Sequence, residues 1–340
     1  MPSLRDLGES EVLERLKAER VAMTGVSLGP GDDAAVLEPA SGMELVATTD
    51  AFVEGVHYLP TWSAPLAIGA RLAAANLSDL AAMAARPRWA LLSIGARADS
   101  SVESLVELQR GVQSALGRHG AGVVGGNLTA VTGGEWFSLT LLGDVAKGQA
   151  WRRSGARPGD RIAVTGFPGR AAAGLALARR LGTRERAADW EALLQAWLAP
   201  EPRLDLALEL ATRRGVVRAA IDLSDGLAGD LAKVCAASGV GARLSADGWT
   251  ADPELDRAAA TLGVDVTTIR LSPSDDYELL LAVDPAQTTE SQAIAAARGI
   301  PLAFIGEFTP RAGSVTIEDR SGVERPSDER GYDPFAPRSA

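Results

Sequence analysis

The chain has 340 residues, 46% hydrophobic and 23% charged, with Lys+Arg 34 against Asp+Glu 44 for a formal net charge of −10. That is a globular composition with room for two cored domains, and its acidity argues against nucleic acid or an anionic membrane as partner. One cysteine, Cys235, excludes an intramolecular disulfide and a cysteine zinc cluster, and two histidines, His57 and His119, exclude a histidine-rich metal site. There is no run of about 18 apolar residues and no basic-then-apolar start, so the cytoplasm is the expected location.

Residues 10–20 read as a helix capped by Ser10, with Val12, Leu13 and Leu16 on one face. Gly29-Pro30-Gly31-Asp32-Asp33 is turn-rich, and paired aspartates there serve turn chemistry or ligand binding equally well. A strand is predicted at 44–50, ending in Thr48-Thr49-Asp50, and a glycine turn then leads to His57. Ser63 starts a predicted helix from Ala64 to Ala85, closed by Arg86-Pro87. Within it Asn76, Ser78 and Asp79 are poorer helix formers than the alanines around them, and Asn76 and Asp79 share a face, which marks a polar notch. A strand follows over Trp89–Gly95, and Ser100-x-x-Glu103 reads as a capping box for a helix reaching His119. Ala121–Thr129 is a strand running into Gly125-Gly126, where missing side chains fit a close ligand approach or a hairpin turn. A further strand covers Trp136–Val145.

Composition changes at Trp151 to Asp160, a domain joint that divides the chain into 1–148 and 149–340. A strand at Arg161–Thr165 meets Gly166-Phe167-Pro168-Gly169 and a helix over Arg170–Leu181; this resembles a phosphate-cradling turn but lacks the Lys-Ser/Thr of a P-loop. Helices are predicted at 189–198 and 203–214. The strand Val216–Ile221 ends in Asp222-Leu223-Ser224-Asp225-Gly226 before a helix over Leu227–Ala237, so Ser224 or Asp225 is either a helix cap or a ligand. Ser272-Pro273-Ser274-Asp275-Asp276 precedes a strand over Tyr277–Val283. A helix at 288–299, strands near 301–308 and 314–318, and a polar tail carrying Tyr332 and Phe335 complete the chain.

Asp32, Asp33, Asp50, Asp79, Asp222, Asp225, Asp275 and Asp276 all fall in turns, at strand ends or in the polar notch. Two carboxylates about 4 Å apart repel by about 4 kcal/mol at an effective dielectric of about 20, so gathering several requires protons or cations. Oxygen-only ligands match Mg2+, with Mn2+ the alternative, bridged to phosphates, and point to phosphoryl transfer. Scattered surface carboxylates would give the same composition. The three lysines, Lys17, Lys147 and Lys233, stand apart from the glycine-rich turns, and neither a P-loop nor a protein-kinase catalytic loop is present.

In order, GPGDDAAVL, ATTDAFVEGVH, NLSDLAAMAA, GGN, RRSGARPGD, VTGFPG, AIDLSDGLAGDL, DDYELLL and GYDPF resemble the thiamine-monophosphate kinase family, within the aminoimidazole ribonucleotide synthetase-like superfamily. The resemblance implies a two-domain α/β, PurM-like fold whose N-terminal domains pair into a β-barrel across a homodimer. It implies ATP-dependent phosphorylation of thiamine phosphate to thiamine diphosphate with several Mg2+ ions. By motif, Asp33, Thr48, Thr49, Asp50, Asp79, Asn127, Asp222 and Asp225 would hold metal, with Asp50, Asp79 and Asp222 catalytic. Gly126, Asn127, Arg153 and Ser224 would serve ATP; His57, Asp275 and Tyr332 would contact thiamine phosphate. Asn127 stands where the family often has Asp, and Asp275 where it usually has Glu. The rival readings are another ATP-using enzyme of the superfamily and a non-catalytic nucleotide-binding paralogue.

Overall fold

A computed structural model describes residues 2–29, 34–184, 186–318, 321–327, 331–332 and 335. The chain resolves into two compact units, Met1–Leu80 with Ala85–Ala150, and Ala81–Ala84 with Trp151–Ala340.

The first unit opens with α1 (Leu4–Ala18), whose cap is Ser3 and not Ser10: Ser3 accepts from Asp6 N–H and the Asp6 carboxylate answers to the Ser3 backbone. The reciprocal box satisfies two otherwise orphaned amides, which the isolated Ser10 cannot do from inside the helix. Then come β1 (Val26–Leu28), β2 (Val36–Leu37), β3 (Met43–Val53), α2 (Pro65–Ala82), β4 (Arg86–Arg97), α3 (Val102–Gly117), β5 (Gly122–Val131) and β6 (Trp136–Ala146). Pro87, expected only to stop a helix, already lies in β4. Ser100 caps nothing; its hydroxyl is spent on Glu135, and Ser101 takes the N-cap position of α3. The four-stranded sheet has the order β3-β6-β4-β5, with β4 and β5 parallel and the other pairs antiparallel. Helices α2 and α3 approach at Gly69 and Gly111, where an added Cβ would lie 1.9 Å from Leu108 O and 2.0 Å from Leu66 O.

The second unit contains β7 (Arg161–Thr165), α4 (Arg170–Leu181), α5 (Glu191–Leu198), α6 (Leu204–Ala211), β8 (Val217–Asp222), α7 (Leu227–Ser238), β9 (Gly241–Ser245), α8 (Pro253–Leu262), α9 (Val266–Leu271), β10 (Leu279–Val283), α10 (Thr288–Ala297), β11 (Leu302–Thr309), β12 (Val315–Glu318) and β13 (Glu324–Pro326). Its seven-stranded sheet runs β13-β12-β9-β11-β7-β10-β8, and only the β9–β12 pair is parallel. In the inner strands, Ile162–Val164 of β7 and Leu279–Val283 of β10 are continuous runs of buried aliphatics, as strands covered on both faces must be. Neither sheet closes on itself among the described residues. No helix among them is long and apolar enough to cross a membrane.

Candidate functional site

Strand alternation decides how the Thr-Thr-Asp run is used. Thr48 and Asp50 point to one face, where the Thr48 hydroxyl donates a short hydrogen bond to the Asp79 carboxylate on α2. Burial first, and then the charge of Asp79, push the Asp50 carboxyl up to about 7. Thr49 points to the opposite, exposed face, where it accepts from the Thr140 hydroxyl at 3.1 Å. The polar notch expected in α2 is real: Asn76 and Ser78 are fully buried beside Asp79, and Asn76 Oδ1 and Ser78 Oγ have no hydrogen-bond partner among the described residues. Each orphaned atom costs about 1–3 kcal/mol, a cost the surrounding alanines would not incur.

The register ladder Asp50–Leu139–Leu92–Gly126 crosses the sheet in one row, and the next row is Ala51–Ser138–Ser93–Asn127. Asn127 therefore shares a face with Thr49 and lies three strand spacings, roughly 14 Å, from Asp50. Among the described residues of the first unit the predicted metal set divides in two, with Thr48, Asp50 and Asp79 on one face and Thr49 and Asn127 on the other. Gly126 has a structural use, because a Cβ there would lie 1.9 Å from Leu92 O of β4. The double glycine admits a neighbouring strand, and β5 continues through it with a register shift just before, where Ala90 pairs with Val123 and Leu91 with Gly125.

Beyond β3 the chain turns through Gly55 to His57. His57 Nδ1 accepts from Val53 N–H at 3.1 Å, which in the neutral ring places the proton on Nε2 and makes that atom a donor. The imidazole stacks on Phe52 with ring centroids 5.7 Å apart. Arg71, 3% exposed, donates to His57 O at 2.7 Å and lies 5.4 Å from the Phe52 centroid, so it locks the turn from beneath. The only sequence sign of this role was an arginine within an alanine-rich buried helix.

In the second unit, Asp222 ends β8 at 3% exposure and opens the turn Leu223-Ser224-Asp225-Gly226. Gly226 sits at φ 97, and a Cβ there would lie 2.3 Å from Ser272 O, so the turn packs directly on the acidic loop 272–278. Tyr277, itself at φ 52, donates its N–H to Leu223 O at 2.8 Å, and Leu223 returns its own to Glu278 O at 2.8 Å. A left-handed non-glycine residue costs about 1–3 kcal/mol and persists here because both neighbours fix it. Asp230 in α7, fully buried, accepts the N–H groups of Ser224 and Asp225 at 3.1 Å each. Lys233 binds Asp230 at 2.8 Å and also reaches the Asp225 carboxylate. Lys233, read from the sequence as standing apart from the glycine-rich turns, thus reaches the aspartate turn, and its i,i+3 spacing from Asp230 is the sequence signal for the pair.

Two acidic residues prove to be structural. Asp276 accepts from Gly169 and Ala171 N–H at 2.7 and 2.9 Å, and Ser274 Oγ accepts from Ala172 N–H at 3.2 Å. The helix start that resembled a phosphate cradle is thus capped from within the chain. Burial raises the Asp276 carboxyl to about 6, partly opposed by those backbone donors. Glu278 forms a two-pronged pair with Arg203, 2.6 Å on each side, and accepts from the Thr165 hydroxyl at 2.6 Å. Asp275, the residue before Asp276, is half-buried.

Arg153 is exposed, and its carbonyl accepts from Ser238 Oγ at 3.1 Å, at the C-terminal end of α7. Ser224 and Asp225 precede the other end of that 12-residue helix, roughly 18 Å away at 1.5 Å per residue. The Arg153 backbone is therefore anchored about one helix length from Ser224, which is predicted to share ATP with it. Tyr332, 45% exposed, donates its N–H to Asp225 O at 2.8 Å. Asp32 and Asp33 lie outside the described residues. Among the described residues no group of three or more His, Cys, Asp and Glu is gathered closely enough to hold a metal ion.

These two α/β units with oxygen-lined loops define an AIR synthase related protein: residues 31–145 match the N-terminal domain of that family and residues 157–318 its C-terminal domain. The chain is 37% identical over 281 residues to a thiamine-monophosphate kinase of Mycobacterium tuberculosis, covering 82% of this chain and 81% of the relative. It superposes on the thiamine-monophosphate kinase of Stenotrophomonas maltophilia K279a with TM-score 0.80 and 34% identity, over 90% of this chain and 95% of that one. AaThiL complexed with AMPPCP and TMP gives TM-score 0.76 at 26% identity, over 98% and 99% of the two chains. The chain belongs to the thiamine-monophosphate kinase family, and its fold is the two-domain PurM-like α/β fold.

Proposed function

We propose that the chain transfers the γ-phosphoryl group of ATP to thiamine phosphate, forming thiamine diphosphate and ADP. One observation carries the reading: Asp50 and Asp79 face each other beside Thr48 in a chain that matches thiamine-monophosphate kinases across both domains. A carboxyl raised to about 7 by burial and by a second carboxylate is a site that a cation completes. The hard-oxygen donor set fits Mg2+, held by Thr48, Asp50 and Asp79 in the first unit and by Asp222 and Asp225 in the second. Asp33, Thr49 and Asn127 remain metal candidates by motif. When bound, the ions would offset the repulsion between two phosphate-bearing reactants.

The acceptor is a phosphate monoester, ionised at neutral pH, so no general base is required and direct in-line transfer follows. His57 Nε2–H is oriented by its own ring to donate to the acceptor phosphate; Asp275 and Tyr332 would hold the thiamine portion. Gly126, Asn127, Arg153 and Ser224 are assigned to ATP. AaThiL complexed with AMPPCP and TMP supports this pair of reactants. The exposed face that carries Thr49, Thr140 and Ser138 supports pairing of two N-terminal sheets in a homodimer, and we place the enzyme in the cytoplasm.

Incubation with ATP, Mg2+ and thiamine phosphate should yield ADP and thiamine diphosphate in equal amounts. Binding of ATP with no turnover would favour a non-catalytic paralogue. A trapped phosphoenzyme, or retained configuration at phosphorus, would overturn direct transfer.

A further inference from the structure

The C-terminal segment meets α7 at a glycine on each side. A Cβ on Gly229 would lie 2.4 Å from Gly331 Cα and 2.8 Å from Gly331 N, both backbone atoms that no rotamer change can move aside. A Cβ on Gly331 would lie 3.0 Å from Gly229 Cα and 3.6 Å from the Asp225 Cβ. The next residue, Tyr332, donates its N–H to Asp225 O at 2.8 Å. The peptide groups flanking the Asp225 side chain are thus both engaged, its N–H by Asp230 at 3.1 Å and its carbonyl by the tail. Gly229 is half-buried in the first turn of α7, where alanine is intrinsically the better helix former. Glycine at this position costs helix stability, and the close approach of Gly331 is what it provides in return.

We propose that Gly229 is a positioning residue for the acceptor end of the site. It admits Gly331, and the contact brings Tyr332 onto Asp225, so the tail and the acidic turn move as one body. A change in the Asp225 turn is then transmitted to the tail through the Tyr332–Asp225 hydrogen bond and the glycine–glycine contact. The functional half of this proposal rests on Tyr332 contacting thiamine phosphate, and the test separates the two.

The test uses the full chain carrying Gly229→Ala, Gly331→Ala or Tyr332→Ala. Tryptic cleavage at the Arg330–Gly331 bond is followed by mass spectrometry, and KM is measured separately for thiamine phosphate and for ATP. Gly229→Ala should melt no lower than the parent, be cut several-fold faster, and raise KM for thiamine phosphate about tenfold, with kcat and KM for ATP near parental values. Gly331→Ala should shift the same readouts in the same direction. Parental cleavage rates in both glycine variants would overturn the docking. Faster cleavage of Gly229→Ala together with an unchanged thiamine phosphate KM in Tyr332→Ala would keep the docking and remove Tyr332 from the acceptor site. A proportional rise of both KM values in Gly229→Ala would overturn the assignment to the acceptor end.

Discussion

Replacing Asp50 by asparagine should make the metal-free protein more stable while disabling it. The Asp50 carboxyl is raised from 3.8 to about 7, first by burial and then by the charge of Asp79. At about 1.36 kcal/mol for each tenfold change in proton affinity, that rise sets a ceiling of roughly 4 kcal/mol on the cost of ionising it in the folded chain. Residual solvent contact lowers the realised figure to roughly 1–2 kcal/mol. Because the folded value lies above the unfolded one, this cost is absent below about pH 4, grows as pH rises, and is complete above about pH 7. Asparagine keeps the shape and removes the charge. In EDTA at pH 8, Asp50→Asn should therefore melt several degrees above the parent, at about 2–4 °C per kcal/mol, and the gap should close near pH 4. Added Mg2+ should raise the parental melting temperature and leave the variant nearly unmoved. Turnover should fall by about a hundredfold or more. A variant that melts below the parent at pH 8 in EDTA, with both responding equally to Mg2+, would refute the reasoning.

His57→Ala should raise KM for thiamine phosphate, and His57→Gln, whose amide can replace the Nε2–H donor, should recover part of the loss in steady-state assays. Glu278→Ala leaves the Arg203 guanidinium, held by two 2.6 Å hydrogen bonds, without its partner and should cost about 3–5 kcal/mol in urea titration. Gly126→Ala forces a Cβ to within 1.9 Å of Leu92 O, so β4 and β5 must separate and the yield of folded, monodisperse protein should fall. Asn127→Asp should change activity far less than Asp50→Asn in the same assay, because Asn127 lies on the other face of the sheet, three strands away.

Much of the architecture was legible because local patterns state it. Arg161–Thr165 and Arg170–Leu181 form β7 and α4 at the expected residues, where an apolar run, a glycine turn and an alanine-rich helix follow in sequence. No element is expected from the sequence at the short strand β9 or the helices α8 and α9: at 5, 10 and 6 residues they are too short to be stable by themselves, and they are held by packing on other elements. Ser10 and Ser100 have the composition of caps, yet Ser3 and Ser101 hold the cap positions. Ser3 accepts a backbone amide, Ser101 holds its position with no side-chain cap hydrogen bond, and the Ser100 hydroxyl is drawn to Glu135 instead.

The acidic residues divide along the same line. The sequence by itself located the carboxylates in turns, at strand ends and in the polar notch, and carried the motifs of one kinase family; it put Thr48, Thr49 and Asp50 in one set, which the pleat of β3 divides. Only the tertiary structure decided which carboxylates are available for a ligand. Asp276 is taken by Gly169 N–H, 107 residues away, and Glu278 by Arg203, 75 residues away, whereas Asp50 faces another carboxylate. A strand's period of two is local and can be read from a few residues. A carboxylate's partner is supplied by whichever distant segment the fold brings beside it, and that partner decides whether the group is a cap, an ion pair or a ligand.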